Sequence, residues 1–254
     1  MPIKENTFKR GIASRKTQFG LWSGLCSHIG AEIIADAGFD WLLMDGEHGP
    51  VEASGMLPLL QAASNSHCCV RVPWNDKVLI KRALDIGAET IFVPFVQNAE
   101  EAEAAVAACK YPPHGVRGVA GSTRSSRYSR TNDYIHTADD EICVVVQVET
   151  AQAVEEIEKI AAVDGVDGIF IGPADLSASM GHRGNPGHEE VQAALKSVAE
   201  RINAAGKPAG ILSGNTADSK KYIDWGYTFV AIGVDVPMFA KAVDTALSDI
   251  KALI

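Results

Sequence analysis

Residues 142–149 read Ile-Cys-Val-Val-Val-Gln-Val-Glu, and residues 168–175 read Gly-Ile-Phe-Ile-Gly-Pro-Ala-Asp. Each is a nearly continuous apolar run of strand length, rich in β-branched residues. The first ends in Gln147 and Glu149, the second in Asp175. Neither alternates polar with apolar, so both suit strands covered on two faces, as in a parallel sheet with helices outside. Between them residues 151–161 carry a helical pattern, with Val154, Ile157 and Ile160 inward and Glu155, Glu156 and Lys159 outward. The segments form a β–α–β unit whose strands run parallel. Parallel strands put their C-terminal ends on one side, so Glu149 and Asp175 emerge on the same rim. Taken singly, each acid reads as a solvated loop-edge group. Two carboxylates converging there, with few cationic neighbours in sequence, point to a hard divalent cation.

The same alternation runs along the whole chain. Further strands are predicted at 18–23, 41–45, 69–72, 90–94, 208–212 and 229–233, and helices at 29–37, 51–63, 77–86, 98–109, 188–205, 216–225 and 236–254. Eight strands alternating with helices in 254 residues predict an α/β chain folded as a (β/α)8 TIM barrel. No linker, low-complexity tract or charge run interrupts it, so residues 1–254 are expected to form one barrel domain. An open doubly wound sheet is disfavoured, because no Gly-x-Gly-x-x-Gly or Walker pattern occurs. The stretch 111–140 breaks the rhythm with Pro112-Pro113, three glycines and Arg117, Arg124, Arg127 and Arg130. A loop of that length is usually functional or partly helical. Its arginines suit either an anionic substrate or a subunit contact.

A formal net charge of −9 disfavours nucleic acid and anionic membrane as partners, which reward basic patches. No apolar run approaches a membrane span, and the polar N-terminus lacks a signal-peptide core. The five cysteines are scattered and odd in number, which predicts reduced thiols and a cytoplasmic location.

Active sites of this fold lie at the strand C-termini. That rim collects Trp22, then Asp45, Glu47 and His48, then Arg71, Gln147, Glu149 and Asp175, and finally Leu212 and Ser213. It holds no lysine, so a Schiff-base mechanism lacks its nucleophile. A dication can chelate a 2-oxo acid and stabilise the enolate formed when a bond at C3 is lost. Arg71 can share the developing charge, and a neutral His48 can remove the proton of a 4-hydroxyl group. The backbone N–H groups of Gly172-Pro173-Ala174-Asp175 suit a carboxylate, unless Asp175 is an ordinary N-cap. Together these make a retro-aldol cleavage releasing pyruvate or a close relative. Asp85, inside a helix, reads as a solvated acid.

The motifs Gly-Phe-Asp-Trp-Leu-Leu-Met-Asp-Gly-Glu-His (38–48), Val-Arg-Val-Pro-Trp-Asn (70–75), Tyr-Pro-Pro-His-Gly-Val-Arg-Gly-Val (111–119), Gln-Val-Glu-Thr (147–150) and Gly-Val-Asp-Gly-Ile-Phe-Ile-Gly-Pro-Ala-Asp-Leu-Ser-Ala (165–178) carry a resemblance over nearly the whole chain. With them the chain resembles the HpcH/HpaI aldolase family, the metal-dependent class II pyruvate aldolases. The resemblance implies reversible cleavage of a 4-hydroxy-2-oxo acid to pyruvate, or an analogue such as hydroxypyruvate, and an aldehyde, in aromatic compound catabolism. It implies Glu149 and Asp175 as ligands of Mg2+, Mn2+ or Co2+, His48 as base, Asp85 as the acid that raises its basicity, and Arg71 as enolate stabiliser. Gln147 and the Ala174 and Asp175 backbone would hold the pyruvyl group. It also implies a homohexamer, a trimer of dimers whose C-terminal helices exchange. Gly49 stands where a small residue such as alanine is expected. Loop 111–130, Trp22 and Leu212 are expected to shape the aldehyde pocket. An acyl-CoA lyase on the same barrel would want a basic channel, absent outside 117–130. A non-catalytic barrel subunit would need no base.

Overall fold

The strands β1 (Gln18–Ser23), β2 (Trp41–Asp45), β3 (Cys68–Arg71), β4 (Thr90–Val93), β5 (Cys143–Val148), β6 (Gly168–Ile171), β7 (Ala209–Leu212) and β8 (Tyr227–Val234) pair in chain order, each parallel to the next, and β8 closes on β1. They come from a computed structural model that describes residues 1–254. Helix α1 (Thr7–Ala13) precedes the barrel. Around it run α2 (His28–Ala35), α3 (Ala53–Ala62), α4 (Lys77–Asp85), α5 (Ala99–Cys109), α6 (Tyr134–Glu141), α7 (Ala151–Glu155), α8 (Ile157–Ala162), α9 (Pro173–Ser179), α10 (Glu189–Ala204), α11 (Thr216–Asp224) and α12 (Asp235–Lys251).

The predicted barrel is present, with local differences. The helix expected over 151–161 is broken at Glu156, and the strand opening at Gly168 ends at Ile171, so Gly172–Asp175 turn directly into α9. The polar N-terminus conceals α1, which plugs the N-terminal mouth. Phe8 and Ile12 are fully buried there, and Asn6 donates to Glu89 O, Thr90 Oγ1 and Glu141 O at 2.9–3.0 Å. A seven-residue helix flanked by charges gives too short a period to be read from sequence.

Inside the barrel the packing alternates very large with very small residues. Trp41, Phe92, Phe170 and Phe229 meet Phe8 and Trp22 with ring centroids 5.4–6.5 Å apart. Gly20 faces Trp41, and Gly210 faces Phe229, so closely that a Cβ at either would overlap the ring. Aromatic layers fill this interior instead of the more usual branched aliphatics. The bulk of the aliphatic core lies between strands and helices.

The last helix departs from a self-contained barrel. Only Asp235 of α12 is buried, while Val236, Met238, Phe239, Val243, Leu247 and Ile250 are exposed. Asp235 fixes where the helix leaves, accepting from Ser23 Oγ at 2.9 Å and Gly24 N–H at 2.8 Å. Phe19 on β1 and Ile29 and Ile33 on α2 are also exposed, so one side of the barrel lacks its cover.

Overpacking at the small positions of the interior is expected to be felt throughout the barrel. Gly210→Ala should cost about 1–3 kcal/mol of stability, read as a lowered urea midpoint with an unchanged transition slope. An unchanged midpoint would mean that Phe229 can move aside.

Candidate active site

The C-terminal rim is assembled around a buried arginine. Arg71, at the end of β3, donates from Nε to Asp45 Oδ1 at 2.9 Å and from Nη2 to Asp45 Oδ2 at 2.6 Å. Its third nitrogen, Nη1, lies 2.6 Å from Glu47 Oε2, off the line of any N–H, so that contact is Coulombic. The guanidinium carbon sits 4.8 Å from the Trp22 ring centroid, and Trp22 Nε1–H donates to Asp45 Oδ2 at 3.1 Å. Asp45 also accepts from the backbone N–H groups of Glu47 (3.0 Å) and His48 (3.2 Å), which fixes the turn that presents His48 at the surface. That turn tolerates only glycine at position 49, since a Cβ would strike Asp45 O and Cys26 Sγ. Gly49 is therefore a requirement of the loop backbone.

The acids on this rim live in opposite environments. Burial pushes the Asp45 carboxyl up, but the Arg71 fork and the Trp22 donor outweigh it, leaving Asp45 below its ordinary value. Burial pushes Glu47 up too, and there Arg71 does not fully compensate. Glu149, one residue past β5, is 3 % exposed. Burial raises its carboxyl to about 7, the Phe95 N–H opposes the rise, and the charges of Asp175 and Glu47 add to it. Glu149 Oε1 accepts from that N–H at 2.8 Å, and Oε2 accepts from Gln147 Nε2 at 3.1 Å. Gly172 lies so close that a Cβ there would overlap Glu149 Oε2. Asp175 is exposed in the first turn of α9.

These residues fit a hard divalent cation. Glu149 and Asp175 repel each other across the rim, and the buried Gln147 Oε1 has no hydrogen-bond partner. The donor set is all oxygen, the chemistry of Mg2+ and Mn2+ sites. The N-cap of α9 is Gly172, with no side-chain bond, so Asp175 is not a cap and the first N–H groups of the helix stay open.

The other expected residues divide. Trp22 is buried in the interior cluster, and the half-buried Leu212, at the end of β7, packs against that cluster, so both lie beneath the rim. Asp85 does not join His48. It ends α4 and precedes β4, at the N-terminal end of the barrel, where Arg117 Nη2 lies 3.4 Å away. Loop 111–130 is at that end as well, because a helix following a strand returns to the opposite mouth. Its Arg124, Arg127 and Arg130 line a cavity of about 400 Å3 with Lys4 and Glu89. Within one chain the loop therefore does not shape an aldehyde pocket on the rim. Phe95 escaped sequence reading. It adopts φ 56° to aim its N–H at Glu149, and stacks on Trp74 at 5.6 Å. No sequence signal marks a phenylalanine for the left-handed region.

The closed parallel barrel, with the acid pair and the arginine fork on one rim, has the architecture of a (β/α)8 enzyme. The sequence profile of the HpcH/HpaI aldolase/citrate lyase family matches residues 18–242, and the chain belongs to that family of carbon–carbon lyases. It is 52% identical over 242 residues to a 4-hydroxy-2-oxo-heptane-1,7-dioate aldolase of Klebsiella pneumoniae, covering 94% of this chain and 91% of the relative. A crystal structure of a family protein from Burkholderia cenocepacia J2315 superposes with a TM-score of 0.94 at 38% identity, covering 97% of this chain and 99% of that one. A solved citrate synthase, SbnG, is more distant, with a TM-score of 0.87 at 26% identity and 98% of each chain covered.

If Glu149 is a cation ligand, a proton and the cation compete for it. Its carboxyl, raised to about 7, is mostly protonated below that pH and ionised above it. Mn2+ affinity measured calorimetrically should fall about tenfold from pH 8 to pH 6. In the metal-free chain the sign reverses. The stability linked to Glu149 is fully present below the ordinary glutamate pKa and is lost as pH rises through 7. A pH-independent Mn2+ affinity would remove Glu149 from the cation's ligands.

Proposed function

We propose that the chain is a metal-dependent aldolase that reversibly cleaves a 4-hydroxy-2-oxo acid to pyruvate, or an analogue such as hydroxypyruvate, and an aldehyde. The Klebsiella relative's substrate, 4-hydroxy-2-oxo-heptane-1,7-dioate, is the first candidate. The observation that carries the reading is the rim itself, where buried Glu149 and Gln147 and exposed Asp175 face an arginine already locked in place.

Glu149 and Asp175, aided by the free Gln147 carbonyl oxygen, would hold Mg2+, Mn2+ or Co2+. When bound, such an ion supplies Lewis-acid charge to the oxygens of the 2-oxo acid. The chain's own groups do the rest. The open N–H groups of Ala174 and Asp175 receive the substrate carboxylate. Arg71 keeps N–H donors beyond those spent on Asp45, and these share the negative charge that grows on the C2 oxygen. His48 takes the proton of the C4 hydroxyl while the C3–C4 bond breaks, and its electron pair moves into the enolate of pyruvate. The aldehyde then leaves over Trp22 and Leu212. In the reverse direction the same histidine returns the proton. An acyl-CoA substrate fits less well, because the clustered arginines lie at the opposite mouth.

Asp85 reaches a His48 only across an interface between copies. The exposed apolar face of α12 and the uncovered Phe19 side of β1 support an assembly in which α12 packs on a neighbour, as in a trimer of dimers. No helix is long and apolar enough to cross a membrane.

The reaction and the assembly are tested separately. Pyruvate methyl protons should exchange with D2O when Mn2+ is present, and excess chelator should stop the exchange. His48→Ala should slow cleavage of the 4-hydroxy-2-oxo acid at least about 100-fold while pyruvate still binds. Exchange that survives the chelator would sink the metal assignment. Sedimentation of the purified protein should give the mass of six chains, and a single-chain mass at micromolar concentration would refute the assembly.

A further inference from the structure

The turn between α9 and α10 gathers three metal-ligating side chains that the rim does not use. The rings of His182 and His188 stack with centroids 3.6 Å apart and planes 14° from parallel. His182 Nε2–H donates to Glu190 Oε2 at 2.7 Å. One ligand atom from each of the three residues lies within 4.8 Å of the other two.

The backbone holds them there. The His182 N–H donates to Ser177 O at 2.7 Å, and the His182 carbonyl accepts from Asn185 N–H at 2.9 Å. The His188 N–H donates to Asn185 O at 3.1 Å, and His188 Nδ1 caps α10 by accepting from Glu190 N–H at 3.3 Å. The His182 side chain is only 22% exposed, so it is packed as well as bonded.

We propose that His182, His188 and Glu190 form a second cation site, separate from the acid pair, that takes a borderline transition-metal dication with Zn2+ as the type. Two imidazoles and one carboxylate are the ligands of such ions, whereas the all-oxygen rim suits Mg2+ and Mn2+. Tetrahedral Zn2+ wants its ligand atoms roughly 3.3 Å apart. Binding requires the two rings to turn out of their parallel stack until both aim a ring nitrogen at one point, and the ion then takes the place of the proton between His182 and Glu190. Three protein ligands leave the fourth position to water, so the ion exchanges readily. Once bound, it ties the turn that ends α9, the helix bearing Asp175, to the first turn of α10. The site stands on its own residues and does not depend on the aldolase reading.

The test uses the full chain with Glu149→Gln and Asp175→Asn, which removes the acid pair proposed to hold the rim cation, titrated calorimetrically with Zn2+ in excess Mg2+. One equivalent of Zn2+ per chain is expected. His182→Gln, and separately His188→Asn, should weaken it at least about tenfold. Asparagine preserves the cap of α10, so loss of binding there reports the imidazole and not the helix. The otherwise native chain in excess Mg2+ should show a Zn2+-dependent rise in its thermal midpoint that His182→Gln abolishes. No Zn2+ equivalent in the doubly substituted background, or an equivalent and a thermal shift untouched by both histidine substitutions, would overturn the proposal.

Discussion

The fork between Arg71 and Asp45 is the contact on which the rim depends. Asp45 receives Arg71 twice, the Trp22 indole, and the backbone N–H groups of Glu47 and His48. One carboxylate thus joins the ends of β1, β2 and β3 and sets the turn that carries His48. Desolvating such a pair removes most of its Coulombic gain, so its value is positional more than energetic. The satisfied network allows an arginine to stand at the mouth of an aromatic interior in one orientation, with donors left over.

The opposite half of the rim follows contrary logic. Glu149 is as deeply buried as Asp45 but has no arginine fork, only the Phe95 N–H and the Gln147 amide. Its carboxyl rises where that of Asp45 falls. Two like-charged acids and an unpaired amide oxygen make a local deficit of positive charge, which a dication bound there would remove. The strained backbone of Phe95 belongs to the same economy, since it holds one donor on Glu149 at the cost of a left-handed φ.

Much of this was legible in the sequence. The unbroken apolar runs of β5 and β6 announced buried parallel strands, and the βα period placed Glu149 and Asp175 on one rim without any distance being known. His48 and Arg71 followed from the same rule, whereas Trp22 and Leu212, placed on the rim by it, lie just beneath. The rule does not reach Asp85, which the sequence reads as a solvated helix acid and which only the family resemblance sets beside His48. Asp85 lies fourteen residues after Arg71, by simple subtraction, yet a helix carries it to the other mouth. The arginines of 117–130 suit either a substrate or a subunit contact by sequence, and the return path of α5 places them at that mouth too.

The sequence by itself determined the barrel and the side of it that carries chemistry, because strand polarity and hydrophobic covering are properties of periodic, local pattern. Tertiary structure alone decided which acid is paired and which is exposed to its neighbour's charge. It also decided that α1 plugs the interior, that Phe95 lends its N–H to Glu149, and that α12 is left without cover in one chain. Those outcomes depend on burial and on contacts between residues far apart in the chain, and no local pattern encodes the dielectric a side chain will meet.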